Sequence, residues 1–259
     1  MSTDPKAQSR ERFSQYAQNY VTSSGHAKGD ELSHLVEIAA PQPDSLALDI
    51  ATGGGHTALK FAPHVRRVIA TDYAPTMLGT ARTFIESKGA SNVLFVPADA
   101  ENLPFAANVF DLITCRIAPH HFPDIFRFVM EAVRALKPGG MLLVQDLTVP
   151  DDERAARYVD SFERLRDPSH VRCYAEYEWR GLYLDAGLTV EHTEQYRRPA
   201  NMLEWARHQG SSDYVIERLR VLMVQAPDAV KEWLNIRCAG TADATFDHVY
   251  VIIAGKKPL

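Results

Sequence analysis

Between residues 45 and 147 the chain repeats one pattern: an apolar run of strand length, a turn, and a stretch with helical spacing of its apolar residues. The apolar runs are 45–50, 67–71, 93–96, 109–115 and 141–147. Helical spacing covers 56–62, 75–87 and 124–136, the last with Ile125, Val129, Val133 and Leu136 on one stripe. Pro75 starts one of these helices and Gly89 follows its end, the usual asymmetry of helix termini. Strands that alternate with helices are joined by crossovers, so they run parallel and are covered on both faces. This predicts an α/β fold around an open, mostly parallel sheet.

After Pro150 the pattern changes. Residues 151–166 and 177–186 read as helices, the second stopped by Gly187, and 188–196 and 246–254 read as two further strands. Residues 202–236 are mostly helical, interrupted by Gly210 and Pro227, so 197–245 is expected to form a helical lid. Ahead of the first strand, Phe13, Tyr16, Ala17 and Tyr20 share a helical face, broken at Ser23-Ser24-Gly25. Asp30 is positioned to cap a helix carrying Leu32, Leu35, Val36 and Ile38, which Pro41 and Pro43 end. No linker divides the chain. A single domain is expected, with a helical cap at 1–44, a core at 45–150 and a substrate side at 151–259.

Charge limits the partners. Twenty-eight basic against 33 acidic residues leave a net charge of −5, with no excess to hold a phosphate backbone. Nucleic acid is therefore not an expected partner. Cys115, Cys173 and Cys238 are widely spaced, which disfavours a disulfide framework or a structural zinc site. The start of the chain is polar and every apolar run is short, so a cytoplasmic protein without a membrane span is expected.

The segment 47–59 runs from a strand through Gly53-Gly54-Gly55 into a helix. Glycine there permits positive φ and close approach of a ligand to the backbone. As Gly53-x-Gly55-x-x-Ala58, with Asp72 further on, the segment fits a dinucleotide site, and an NAD-dependent oxidoreductase is one reading. Three acids at successive strand ends favour S-adenosylmethionine instead. Asp49 suits the ammonium and sulfonium of that cofactor and would repel a pyrophosphate. Asp72 is placed to accept two ribose hydroxyls, although it also suits a helix cap. Asp99 is placed to accept the adenine amino group, with Ala100 N–H near a ring nitrogen, although it also suits a turn. All three converge on the carboxyl edge of the sheet, where open α/β folds bind ligands.

With these residues in order, the chain resembles class I S-adenosylmethionine-dependent methyltransferases. The branch is that of the ubiquinone/menaquinone-biosynthesis C-methyltransferases. The resemblance rests on 49–55, 70–78, 99–105, 110–116 and 133–144, and covers about residues 45–150. It implies a Rossmann-like seven-stranded sheet of order 3-2-1-4-5-7-6 with the last strand antiparallel. It also implies that Gly53 and Gly55 line the methionine part of the cofactor, and that Asp72 holds the ribose. Tyr73 and Met77 would flank the adenosine, Asp99 and Ala100 would read adenine, and Arg116 would stand beside the methyl donor.

The acceptor side departs from that branch. The segment 116–124 differs from the quinone enzymes and resembles a subgroup of bacterial methyltransferases. It lacks the Asn/Asp-Pro-Pro-aromatic motif of nucleic-acid amino methyltransferases. A small-molecule acceptor is therefore expected, with O-, C- or N-methylation all open. A non-catalytic cofactor-binding module is the remaining alternative, and the lid argues against it. His120 and His121 follow the fourth strand, and one of them, His121 by preference, is expected to orient or deprotonate the acceptor. Helix capping and packing beside Phe122 are the competing roles. His26, Tyr16 and Tyr20 fit amphipathic packing better than contact with a ligand. His120, His121 and Asp124 are too cramped for a metal site, and no metal is expected.

Overall fold

The computed structural model describes residues 6–12, 14 and 31–259. Phe13, Tyr16, Ala17, Tyr20, Ser23-Ser24-Gly25, His26 and Asp30 lie outside the described residues. Residues 6–12 are helical. The apolar runs become β1 (Leu46–Ile50), β2 (Arg67–Asp72), β3 (Val93–Pro97), β4 (Phe110–Arg116) and β5 (Leu136–Leu147), followed by β6 (Thr189–Asn201) and β7 (Thr245–Lys256). They form one sheet of order β3-β2-β1-β4-β5-β7-β6. The β1–β2, β1–β4, β2–β3 and β4–β5 pairs are parallel, and β7 is antiparallel to both β5 and β6. The expected sheet order is the one observed.

The helices are α1 (Glu31–Ala39), α2 (His56–Phe61), α3 (Pro75–Ser87), α4 (Ile125–Ala135), α5 (Glu153–Arg166), α6 (Glu176–Asp185), α7 (Met202–His208), α8 (Asp213–Gln225) and α9 (Asp228–Trp233). Their starts follow local chemistry. Pro75 occupies the first turn of α3, and the side chains of Asp124, Asp152 and Ser212 accept backbone N–H bonds at the starts of α4, α5 and α8.

Successive strand residues serve opposite cores, as a two-residue period requires. Leu48, Ile113 and Val144 pack with Phe128 and Val129 of α4 and with Trp179 and Tyr183 of α6. Ala47, Leu112 and Leu143 pack on the other face with Leu35 of α1, Phe61 of α2 and Ile85 of α3. A third cluster joins α5 to α7, α8, α9 and Phe246.

Two expected boundaries move. β6 does not end at 196 but continues to Asn201, pairing Arg197–Asn201 with Thr245–Val249 of β7. It is an edge strand, so Pro199 has no second neighbour to which a ladder N–H would be needed. The helical part between the last two strands thus begins at Met202 rather than 197. β5 starts at Leu136, because Leu136 pairs with Phe110 before a register shift. The expected Lys137–Gly140 turn is absorbed into that irregular strand, with Gly139 at φ 78°.

Candidate functional site

The carboxyl ends of β1 to β4 open into one cavity, bounded by the turns that follow these strands. Thr52, Gly53, Gly54, Asp72, Tyr73, Met77, Asp99, Ala100, Arg116 and His121 are on its wall. Asp49, Gly55 and His120 are not, and each is held elsewhere.

The glycine turn is a backbone device. Ala51, Gly53 and Gly55 have φ of 53°, 54° and 87°. Thr52 N–H donates to Thr71 O at 2.7 Å and Gly55 N–H to Thr52 O at 2.9 Å. Gly55 precedes α2, and a Cβ there would stand 2.8 Å from Ile85 Cδ1, so its smallness lets α3 pack against the turn. Gly54, which the sequence reading passed over, faces the cavity instead.

Asp49 lies behind this turn, 2% exposed, accepting hydrogen bonds from Thr52 Oγ1 at 2.6 Å and Thr114 Oγ1 at 2.8 Å. Burial raises its pKa to about 6, against the pull of the two hydroxyls. Asp72 faces the cavity. Its oxygens accept from Gly53 N–H at 3.0 Å and Ala74 N–H at 2.9 Å, which orients the carboxylate and steadies the start of α3. Burial raises Asp72 to about 6 as well, against those N–H donors. Asp99 accepts from Glu101 N–H at 2.9 Å and pairs with Lys6 Nζ at 2.7 Å. Lys6 also reaches Glu101 at 2.5 Å. Burial opposes the charge on Lys6, but the two carboxylates outweigh it and raise its pKa. Arg116 donates through Nε to Thr57 Oγ1 at 3.2 Å, and burial lowers its pKa.

Pro119–His121 forms one tight turn after β4 that sends the two histidines to different partners. His120 donates its backbone N–H to Asp146 Oδ2 at 2.7 Å, and its Nδ1 is 2.6 Å from Asp146 Oδ1. Burial works against a charge on this ring, and Asp146 outweighs it and raises the pKa. His121 Nδ1 lies 2.9 Å from Ser169 O, which fixes the proton on Nδ1 and leaves Nε2 as an acceptor. Burial and the neighbouring His120 hold His121 below the ordinary imidazole range. Asp124 caps α4 while His120 turns to Asp146, so the local trio does not converge.

The sequence profile of the Methyltransferase domain family matches residues 48–144. The uncharacterized methyltransferase YcgJ of Bacillus subtilis is 36% identical over 199 residues, covering 77% of this chain and 79% of YcgJ. The chain belongs to the class I S-adenosylmethionine-dependent methyltransferases. The solved YcgJ protein superposes with a TM-score of 0.85 at 32% identity, over 88% of this chain and 98% of that one. The ubiquinone/menaquinone biosynthesis C-methyltransferase UbiE of Shewanella frigidimarina is 36% identical over 133 residues, 50% of this chain and 53% of UbiE. That match spans only about half of each protein.

The family assignment makes this protein an enzyme with S-adenosylmethionine as methyl donor, and the dinucleotide reading of the glycine turn falls away. The donor set fits the cofactor, with carboxylates at two strand ends facing one cavity and backbone glycines between them. No helix among the described residues is long and apolar enough to cross a membrane. Cys115, Cys173 and Cys238 are free thiols.

Several wall or support residues of this methyltransferase escaped the sequence reading. Asp146 carried the same signal as Asp49, Asp72 and Asp99, an acid near the end of an apolar strand, and was legible on that ground. Glu101 lay inside a quoted motif. Lys6 had no local signal, because its partner Asp99 is 93 residues away.

Proposed function

We propose that this methyltransferase acts on a small-molecule acceptor, with Gly53, Asp72, Tyr73, Met77, Asp99, Ala100 and Arg116 on the cofactor side and His121 on the acceptor side. S-adenosylmethionine supplies an electrophilic methyl on a sulfonium, so the protein's own share is positioning and exclusion of water. The observation that carries the reading is the Pro119–His121 turn, which puts one neutral imidazole on the cavity wall beside the buried His120–Asp146 pair. Asp49 acts from behind the wall as buried negative charge near the methionine end. A net charge of −5 supports a partner other than nucleic acid.

A mass-shift screen of metabolite mixtures with S-adenosylmethionine tests the acceptor class. Methylation of tRNA, rRNA or DNA with no small-molecule product would overturn it. His121→Ala checks the wall residue. Its depressed pKa leaves no proton to exchange at neutral pH, so an orienting hydrogen bond of about 0.5–1.5 kcal/mol is at stake. Turnover should fall by about three- to tenfold with S-adenosylmethionine affinity unchanged and no shift in the pH profile. A loss of about a hundredfold or more, with a displaced pH limb, would instead mark His121 as a general base.

Cofactor affinity should also depend on pH in a stated direction. Asp72 accepts hydroxyl protons best as a carboxylate, and its pKa is about 6. Affinity is expected to be level above about pH 7 and to fall as the pH drops through 6, when Asp72 takes up a proton that binding must remove. Calorimetry from acid to neutral pH measures this, and a flat affinity across that range would contradict it.

A further inference from the structure

Among the described residues, two trios of metal-ligating side chains converge, and neither has a member on the wall of the cofactor cavity. In the first, Asp160, His170 and Cys173 are buried and already satisfy one another. Asp160 Oδ1 accepts from His170 Nε2 at 2.8 Å and from Cys173 N–H at 2.9 Å. The second trio, His34, His192 and Glu194, is different in both respects. Its ligand atoms lie within 4.8 Å of one another, its side chains are 43%, 34% and 34% exposed, and one of its imidazole nitrogens is unsatisfied.

The fold brings these three together from opposite ends of the chain. His192 and Glu194 are two residues apart on β6, so they share a face of the sheet. They pair with Ala254 and Ile252 of β7, which belong to the same apolar cluster as Leu35 of α1, the neighbour of His34. His34 Nε2 lies 2.7 Å from Glu194 Oε1, and His192 Nε2 lies 3.6 Å from Glu194 Oε2. His192 Nε2 is covered from solvent and has no hydrogen-bond partner, which costs free energy unless something else satisfies it. Two ligands each about 2.05 Å from one tetrahedral zinc ion stand about 3.3 Å apart. The 3.6 Å pair is therefore close to the spacing that a shared ion sets. The 2.7 Å pair has to open by about 0.6 Å as the ion replaces the proton held between imidazole and carboxylate. On its other side, His34 Nδ1 is 3.5 Å from Glu37 Oε2, where a carboxylate commonly orients a metal-bound imidazole.

We propose that His34, His192 and Glu194 bind a zinc ion that ties α1 to the edge strand β6. Two imidazoles and a carboxylate suit zinc, with water in the fourth position on the exposed side. The ion gives His192 Nε2 the partner it lacks. It also adds a link to β6, whose one ladder partner is β7. Its part is to hold the fold, apart from methyl transfer, because none of its ligands reaches the cofactor cavity. Spacing along the chain hides the site, since His34 and Glu194 are 160 positions apart.

The test titrates Zn²⁺ by calorimetry, and Co²⁺ by visible absorption, into the metal-free full chain. The proteins are wild type, His34→Ala, His192→Ala, Glu194→Gln and Cys173→Ser. Wild type is expected to bind one equivalent of Zn²⁺ that the first three variants bind at least about tenfold more weakly, since even the outer partners of a metal ligand are commonly worth that much. Cys173→Ser should bind as wild type does, and the Co²⁺ spectrum should show no thiolate charge-transfer band. Zn²⁺ should raise the denaturant midpoint of wild type and of Cys173→Ser, and move that of the three ligand variants much less. Without metal, all the ligand variants should unfold close to wild type, because their side chains are partly exposed, so lost binding would not be lost folding. Affinity for S-adenosylmethionine should be the same throughout. The proposal is overturned if wild type binds neither ion, or if His34→Ala and His192→Ala bind as wild type does. Binding that survives in His192→Ala and is lost in Cys173→Ser would also overturn it, by moving the ion to the buried trio.

Discussion

Asp72→Ala is expected to weaken S-adenosylmethionine binding by at least about tenfold, the largest loss from any single wall residue. The carboxylate is placed to accept two hydroxyls, each such bond to a charged group being worth roughly 1.5–3 kcal/mol, and 1.4 kcal/mol is tenfold. The substitution also releases Gly53 N–H and Ala74 N–H, bonded at 3.0 and 2.9 Å, so the turn and the start of α3 both loosen. Asp72→Asn separates the two effects. The amide oxygen keeps one N–H bond and the shape of the turn but loses the charge and the second acceptor. Calorimetry should therefore place Asp72→Asn between wild type and Asp72→Ala. Unchanged affinity in Asp72→Ala would reduce the residue to a support for the turn.

The second large effect is on stability. Trp179→Ala is expected to destabilise the fold by about 3–5 kcal/mol, read as a lower midpoint in denaturant. Trp179 of α6 is fully buried in the core cluster that α6 shares with α4 and β7, edge-on to Tyr174 and Tyr183 at 5.8 and 6.4 Å. Against a typical total of about 5–15 kcal/mol, such a loss leaves a marginal protein. Trp179→Phe should cost far less. The indole Nε1 has no hydrogen-bond partner among the described residues, so phenylalanine removes an unsatisfied donor while keeping most of the apolar contact. Equal losses in the two variants would contradict this account and point to a bonded indole.

The acceptor side was harder to read from the chain than the cofactor side. The lid was expected to enclose a pocket. In the structure α7, α8 and α9 pack on α5 and Phe246, and none of their residues is on the wall of the cofactor cavity. Their apolar spacing indicated a helix with one buried face, but not which neighbour would cover that face. The burial of Glu163 was no more legible. In sequence it is one charge in the charged helix 151–166, and only the packing of α5 against β7 turns it inward beside His248.

The chain by itself determined the alternation of strands and helices, the glycine turn, and the acids that end β1, β2 and the β3 loop. These depend on the two- and three-to-four-residue periods of neighbouring residues and on the backbone freedom of glycine, all local properties. Tertiary structure alone decided which of two adjacent histidines faces the cavity. His120 and His121 differ by one step in a tight turn, and their directions are set by Asp146, 26 residues on, and by Ser169, 48 residues on. It likewise extended β6 to Asn201, since a strand's length depends on the partner it pairs with, and β7 lies beyond three intervening helices. Hydrogen bonds between distant segments form only once the sheet has brought their ends together, and spacing along the chain carries no record of them.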